Sequence, residues 1–457
     1  MSKDEKKSVN LPNADIAALF IEKFDRPMVY EEVTNIYWVW VDGVWEMVSE
    51  KRMKYARKER DGFNGIRRFL MYNRVGGMGL TDARFKDIYS QLKGESDYVD
   101  ILKPKFIAFT DCVLEPKTGK TFPHDPGRTA VVKVNCQYSG LADAEGSNFD
   151  SYLDSVCVDD ERNPDPLMRD QLQEMAGYLL LPETKAAMSF FLSGKGRNGK
   201  GVFLNILRAM LGRSRTTALS LSDMTSSRFA AAGLLGVTAN FADETRTTRE
   251  ATSDMFKKLV ANDVITADVK FGESVTFRPN AKYFYNVNGV PSFDGFDYAM
   301  KERILPVRFP RSFDRHERRL DLTDLIIESE IPYVVRWALD GLNRLKGNNM
   351  AFTMTESSKD LLRDFEENSS SVAEWFYAKC EIPDGAYRDM QFTEFSVLYL
   401  DYVAFAKEAG RPAKKRKGFS IELADICGPT GEKKIAGRTT TVANCCLKDR
   451  DAGPGKK

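Results

Sequence analysis

Apolar positions along the chain repeat in two ways, and the alternation between them predicts an α/β protein. Ala187 to Leu192 is a short apolar run that fits a buried strand. From Lys200 onward Val202, Phe203, Ile206, Leu207 and Met210 recur at helical spacing, and Gly212 follows as a stop. Strand patterns return at Val237–Ala242 and Lys282–Val287. Between them lie a helical pattern around Met255–Val260 and a hairpin pattern over Asp263–Phe271 and Thr276–Arg278. Strands alternating with helices in this way predict a largely parallel sheet.

The flanks have other rhythms. Tyr37 to Trp45 is an aromatic strand, an Asp42-Gly43 turn and a return strand. Its tryptophans either stack on bases or pack into a core. Residues 51–70 carry eight cations, Lys51, Arg52, Lys54, Arg57, Lys58, Arg60, Arg67 and Arg68, on one or two helices that are either solvated or phosphate-facing. Residues 103–145 read as strands and turns, with helices at Phe149–Val156 and Met168–Leu181. Residues 320–365 look helical, and Glu366–Ser371 reads as a polar linker. The last segment has helices at Val372–Lys379 and Phe392–Glu408, the basic stretch Arg411–Lys417, and a strand pair around Arg438–Cys446. That order resembles a winged helix, in which Lys415 and Arg416 would meet duplex DNA; a solvated loop is the alternative.

Composition narrows the class. The formal charge of +1 over 457 residues leaves any nucleic-acid contact to local basic patches. No apolar run approaches the ~18 residues of a membrane span, and the charged N-terminus shows no signal peptide, so a cytoplasmic protein is expected. Seven cysteines without a C-x-x-C pair suit a reducing compartment and argue against zinc. Only His124 and His316 are available for imidazole chemistry.

The chemistry concentrates after the first predicted strand. Gly194-Lys195-Gly196-Arg197-Asn198-Gly199-Lys200-Gly201 has the spacing G-x-x-x-x-G-K between a strand and a helix. Glycines let successive backbone N–H groups turn inward around phosphate oxygens, and the helix start adds partial positive charge. Gly194, Gly196, Asn198, Gly199, Lys200, Gly201 and Val202 are thus candidate ATP-binding positions, with Lys200 on the β- and γ-phosphates. Position 201 lacks the Ser or Thr hydroxyl that normally holds magnesium. The strand ending in Asp243-Glu244 brings two carboxylates to the sheet edge: one for Mg²⁺, the other for the attacking water.

GKGRNGKGVF, the Asp243-Glu244 pair and NGVPSFDGFDYAMKERILPVRFP together resemble superfamily 3 helicases of the phage, plasmid and poxvirus primase–helicase type. The resemblance is strong over about 165–315, weaker over 105–165, and extends plausibly to the C-terminal segment. It implies an AAA+-like P-loop NTPase core with an α+β N-terminal region and a C-terminal winged-helix domain. It casts Lys200, Asp243, Glu244, Asn288 and Arg303 as catalytic: Asp243 holds magnesium, Asn288 senses the γ-phosphate or lytic water, and Arg303 is a finger supplied to a neighbouring subunit. Arg308 and Arg311 compete for that last role. Lys270 and Phe271 would sit on a hairpin gripping single-stranded DNA.

The implied whole is a hexameric, 3′-to-5′ DNA helicase of a phage, prophage or plasmid, served by a separate primase, since no primase is visible. An initiator or loader without processive unwinding, and a nucleotide-switched regulatory or defence ATPase, are the alternatives. The expected segments are 1–102 (N-terminal region), 103–183 (oligomerisation collar), 184–318 (ATPase core), 319–370 (lid and linker), 371–448 (winged helix) and 449–457 (a disordered tail).

Overall fold

The computed structural model describes residues 11–24, 26–32, 36–55, 65–73, 75, 80–95, 104–212, 215–242, 252–269, 274–382, 392–435 and 438–448. The N-terminal unit opens with α1 (Asn13–Glu22), followed by β1 (Met28–Glu31), β2 (Ile36–Val41) and β3 (Val44–Val48), an antiparallel sheet. Asp42 and Gly43 both take left-handed φ, 46° and 86°, the twist a two-residue hairpin turn requires. Trp38 and Trp45 are 4% and 0% exposed, and the Trp45 indole N–H donates to the Pro126 carbonyl at 3.0 Å. The aromatic hairpin therefore packs as core. Helices α2 (Glu50–Tyr55), α3 (Ile66–Asn73) and α4 (Asp82–Gln91) enclose Phe20, Met53, Ile66, Phe85 and Ile88 with α1. Strands β4 (Phe106–Ala108), β5 (Val113–Glu115), β6 (Lys120–Phe122) and β7 (Ala130–Lys133) form a second small sheet.

Helices α5 (Ser147–Val156) and α6 (Pro166–Leu180) lead into β8 (Ser189–Ser193) and α7 (Lys200–Leu211). Then come β9 (Thr216–Thr217), α8 (Leu221–Ser226), α9 (Arg228–Ala231), β10 (Ala239–Ala242) and α10 (Ser253–Val260). The hairpin β11 (Ile265–Ala267) and β12 (Val275–Phe277) precedes β13 (Lys282–Val287), α11 (Tyr298–Lys301) and β14 (Ile304–Arg308). Among the described residues the central sheet runs β14-β8-β13-β10-β9, every pair parallel. Alternate residues face opposite sides. Phe190, Leu192, Phe241 and Phe284 pack with α5, α6 and α7, whereas Phe191, Tyr283 and Tyr285 pack with α10 and the helix over 356–369.

The chain then forms α12 (Leu322–Leu325), a π turn over Ile326–Glu330, α13 (Ile331–Gly347) and α14 (Glu356–Ser369). The buried Glu330 carboxylate accepts from the Asn148 and Phe149 amides at the start of α5 (3.1 and 2.8 Å), satisfying donors the helix leaves open. The helical expectation for 320–365 is corrected: residues 348–355 are not helical, and Asn349 and Met350 have positive φ. The linker expected at Glu366–Ser371 is also corrected. Residues up to Ser369 complete α14, and Ser370 caps α15 (Ser371–Lys379) by accepting from the Val372 and Ala373 amides at 3.1 Å. Glu366 is buried against Lys301 and the Tyr377 hydroxyl, so its polarity serves an internal pair and not solvent.

Beyond lie β15 (Cys380–Glu381), β16 (Thr393–Glu394), α16 (Phe395–Glu408), α17 (Arg416–Cys427), β17 (Gly431–Ile435), β18 (Arg438–Ala443) and β19 (Cys446–Leu447). Helices α15, α16 and α17 share a core of Trp375, Leu398, Tyr402, Phe419 and Leu423 beside the antiparallel set β16-β18-β17.

Candidate functional site

The loop between β8 and α7 emerges at the carboxyl edge of the parallel sheet, where the strand order reverses. β13 and β14 flank β8 on its two sides, and the chain after β8 runs to the far edge at β9. Such a switch point is where open parallel sheets bind ligands. Gly196, Arg197 and Gly199 take φ of 30°, 60° and 88°. A Cβ on Gly194 would meet the Asn198 amide nitrogen at 2.1 Å, and one on Gly199 would meet Val156 Cγ1 at 2.7 Å. These close approaches explain the glycines. Lys195 and Asn198 do not share the positive φ, and right- and left-handed residues paired in this way turn backbone N–H groups toward one concavity, the arrangement that binds anions.

The loop is anchored from four sides. Phe309 N donates to the Ser193 carbonyl (2.8 Å) and Phe313 N to the Arg197 carbonyl (2.9 Å). The buried Asn198 amide donates to the Phe309 carbonyl (3.4 Å), and the Tyr152 hydroxyl to the Gly199 carbonyl (3.0 Å). Burial pushes the Tyr152 phenol well above its ordinary pKa, so it remains a neutral donor. Lys200, 2% exposed, begins α7 and donates from Nζ to the Gly194 carbonyl at 2.6 Å, spanning the loop from within. Val202 is half-buried on the same helix. At Gly201 a Cβ would meet nothing within 4 Å.

The other expected positions are distributed as follows. β10 ends at Ala242, opposite Tyr285 and at the same edge as the loop, while Asp243 and Glu244 themselves lie outside the described residues. Asn288 follows the last residue of β13 at this edge and is exposed. Two residues before it, Asn286 faces Leu192 of β8, and its buried Oδ1 has no hydrogen-bond partner among the described residues. That acceptor was hidden in the sequence inside a strand of otherwise apolar pattern.

Arg303 is not brought to the loop. Its carbonyl accepts from Ser189 N (2.9 Å) and its guanidinium donates to the Ala299 carbonyl (2.6 Å), at the opposite end of β8. Five strand residues put it about 16 Å from the loop of its own chain. Arg308, opposite Ser193, makes a long ion pair to Asp160 at 3.6 Å. Arg311 is tied to the Ser155 carbonyl, to Glu317 and over the Phe313 ring.

The stems of the expected hairpin are β11 and β12, whereas Lys270 and Phe271 lie outside the described residues. Lys257 beside it is committed to Asp297 at 2.9 Å, and that hydrogen bond raises the lysine's pKa. In the C-terminal unit, Lys415 precedes α17 and is exposed. Arg416 stacks over the rings of Phe395 and Tyr399, 5.4 and 5.8 Å from their centroids. Among the described residues no group of three or more His, Cys, Asp or Glu is placed to hold a metal ion, and no helix is long and apolar enough to cross a membrane.

Comparison with known proteins adds a family match over part of the chain, a viral relative and a fold. Residues 192–303 match the family of unknown function DUF5906, a stretch that starts just before the loop and ends at Arg303. The chain is 26% identical over 350 residues to "Putative helicase L207/L206" of Acanthamoeba polyphaga mimivirus; the match takes in 68% of this chain but 36% of that protein. Among solved structures, "The apo structure of NrS-1 C terminal region (305-718)" superposes with a TM-score of 0.52 at 12% identity, covering 97% of this chain and all of that one. An A-form apo structure of the same region gives a TM-score of 0.50 at 11% identity, with coverages of 94% and 98%. The α/β fold with its flanking helical units is therefore shared over nearly the whole length.

Proposed function

We propose that the protein is an ATP-driven helicase that moves along single-stranded DNA as a ring of identical subunits. The observation that carries this reading is the strapped glycine loop at the sheet's switch point, with Lys200 buried inside it. Amides of such a loop would meet phosphate oxygens, and Lys200 would exchange the Gly194 carbonyl for the β- and γ-phosphates. Similarity to a viral protein named as a helicase supports the choice of reaction.

In this reading residues 184–318 form a P-loop, AAA+-like ATPase core of the superfamily 3 kind. Asp243 would hold Mg²⁺, which neutralises phosphate charge when bound with ATP, and Glu244 would orient the attacking water. Asn288 completes the edge, with Asn286 as a second, more buried amide beside it. Arg303, at the far end of the sheet, serves a neighbouring copy's ATP, which makes a closed ring, a hexamer in the family it resembles, the natural assembly. The β11–β12 hairpin carries Lys270 and Phe271 to one DNA strand, moving 3′-to-5′, and residues 371–448 act as a winged helix whose Lys415 and Arg416 meet duplex DNA. Residues 1–102 and 103–183 serve as N-terminal region and collar, 319–370 as a lid. The setting is cytoplasmic replication of a phage, prophage or plasmid element.

The test is strand displacement on a forked duplex. ATP-dependent unwinding, together with hydrolysis stimulated by single-stranded DNA, is expected. Hydrolysis without displacement would instead favour a loader or initiator, and absence of both would sink the assignment.

Gly201 is what favours that second reading, because the hydroxyl that usually holds magnesium is missing. The open space around it makes Gly201→Ser a clean probe: the new Cβ meets no atom within 4 Å. Supplying the hydroxyl is expected to lower the magnesium concentration needed for half-maximal hydrolysis by about tenfold, equivalent to roughly 1.4 kcal/mol. An unchanged magnesium titration would mean that the metal is held wholly by other ligands.

A further inference from the structure

At the opposite edge of the sheet from the glycine loop lies a cleft of about 670 Å³, in the size range of small-ligand sites. It is formed where the chain enters β8, where β13 begins and where the β11–β12 hairpin is rooted, with Lys105 closing it from the segment before β4. Lys105, Lys185 and Arg278 line it, against a single carboxylate, Glu183. Lys185 pairs with Glu183 at 2.9 Å, but among the described residues Lys105 and Arg278 have no carboxylate partner. Arg278 spends one N–H on the Asn262 carbonyl (2.9 Å), which fixes the guanidinium at the rim with its other donors available. Beneath, Lys282 is fully buried with its ammonium on the Leu181 carbonyl, and that desolvation pulls its pKa down to about 7.

The wall of the cleft also holds a buried acceptor that no described residue satisfies. Asn262, held at φ 58°, buries its Oδ1 without a hydrogen-bond partner. A buried amide oxygen left open costs roughly 1–3 kcal/mol, so turning the Asn262 side chain out of the cleft wall toward a ligand that brings a donor would be favourable. A bare phosphodiester would answer the cations but carries no donor, and free inorganic phosphate has only an O–H on the same small anion that the rim cations would hold. A nucleotide supplies both: phosphate oxygens for Lys105 and Arg278, and a base N–H for Asn262.

We infer that this cleft binds a nucleotide unit of single-stranded DNA at the root of the hairpin, as a second hold on the strand. The inference rests on the helicase reading, which places that strand along the hairpin. Phosphate contact by two cations that have no carboxylate partner among the described residues supplies affinity and salt dependence, while Asn262 adds a base contact, an arrangement suited to holding a strand between hydrolysis steps.

The experiment titrates fluorescent oligothymidylate with the full-length protein. The Lys105→Glu/Arg278→Glu double variant is expected to bind about tenfold more weakly and with a shallower salt dependence. Its hydrolysis of ATP without DNA should be unchanged, and Lys117→Glu, a control in an exposed turn, should bind normally. Asn262→Gly, which keeps the positive φ, should weaken oligothymidylate but not an abasic oligomer. Unchanged affinity in the double variant, in a protein that hydrolyses ATP and binds DNA, would overturn the cleft and leave the helicase reading standing. So would equal competition by free thymidylate, which would make this a mononucleotide site, or by polyglutamate, which would make it an acidic-peptide site. A wild-type protein that neither hydrolyses ATP nor binds the oligomer would overturn both.

Discussion

Replacing Lys200 by alanine is expected to lower ATP hydrolysis by about 10²–10³-fold, the range found when one preorganised donor to developing charge is removed. The side chain is 2% exposed and already points across the loop to the Gly194 carbonyl. It therefore needs little reorganisation to meet phosphate, and a low-dielectric site makes its charge count. The loop's shape does not depend on it. Phe309, Phe313, Tyr152 and Asn198 hold the backbone through four other hydrogen bonds. The thermal midpoint should accordingly stay within about 3 °C, because one net hydrogen bond is worth about 1 kcal/mol. Phosphate release and a melting curve on the same preparation separate the two effects. Lys200→Arg should fare no better, since a planar, longer guanidinium does not fit where the compact ammonium is enclosed. Near-normal hydrolysis in either variant would remove the loop from the chemistry.

How much of this was legible in the sequence depended on whether local pattern or distant packing decided each element. β13 falls at Lys282–Val287 as its apolar run indicates, and α7 ends at Leu211 with Gly212 as its cap, whose φ of 81° suits the glycine that predicted the stop. The Asp42-Gly43 turn likewise announced its own geometry. Polar residues misled where their partners were far away. Glu366 looked like linker until Lys301 and Tyr377 closed on it, and Ser370 is a helix cap between two nearly continuous helices. Helix α17 was masked by the cations at its start, of which Arg416 stacks on Phe395 and Tyr399. The cleft was unreadable for the same reason: Lys105, Lys185, Asn262 and Arg278 meet only after the sheet and hairpin form. Of the loop's chemistry, glycine spacing gave the cradle, but the Tyr152 and Phe313 anchors come from neighbouring segments with no motif of their own.

The second large effect is structural, and it follows from two glycines that helical spacing presents as ordinary positions. Gly177 of α6 and Gly341 of α13 each face the other helix's backbone. A Cβ at 177 would meet Leu342 N at 2.3 Å, and one at 341 would meet the Gln173 carbonyl oxygen at 2.2 Å. Neither obstacle is a side-chain end that could swing away, so the helices must part. Their separation is also fixed by polar bonds. Arg344 donates to the Glu174 carboxylate (2.9 Å), the Gln173 amide oxygen (2.7 Å) and the Asp170 carbonyl (2.8 Å), and the Gln173 amide donates to the Trp337 carbonyl (2.8 Å). Glu174 is 1% exposed, so pulling Arg344 away would strand a buried carboxylate. Gly341→Val is therefore expected to destabilise the protein by about 3 kcal/mol or more, at the top of the overpacking range, and to lower the melting midpoint by roughly 10 °C. Gly341→Ala should do most of the same damage, because the clash begins at Cβ; a residue whose effect came only from bulk would spare alanine. Gly347, where a Cβ meets nothing within 4 Å, serves as the control at the end of the same helix, and Gly347→Ala should melt like the parent. Since α6 leads through Pro182 into β8, parting this pair also loosens the approach to the glycine loop. ATP hydrolysis in Gly341→Ala should then fail at a lower temperature than in the parent while remaining near normal well below its melting midpoint.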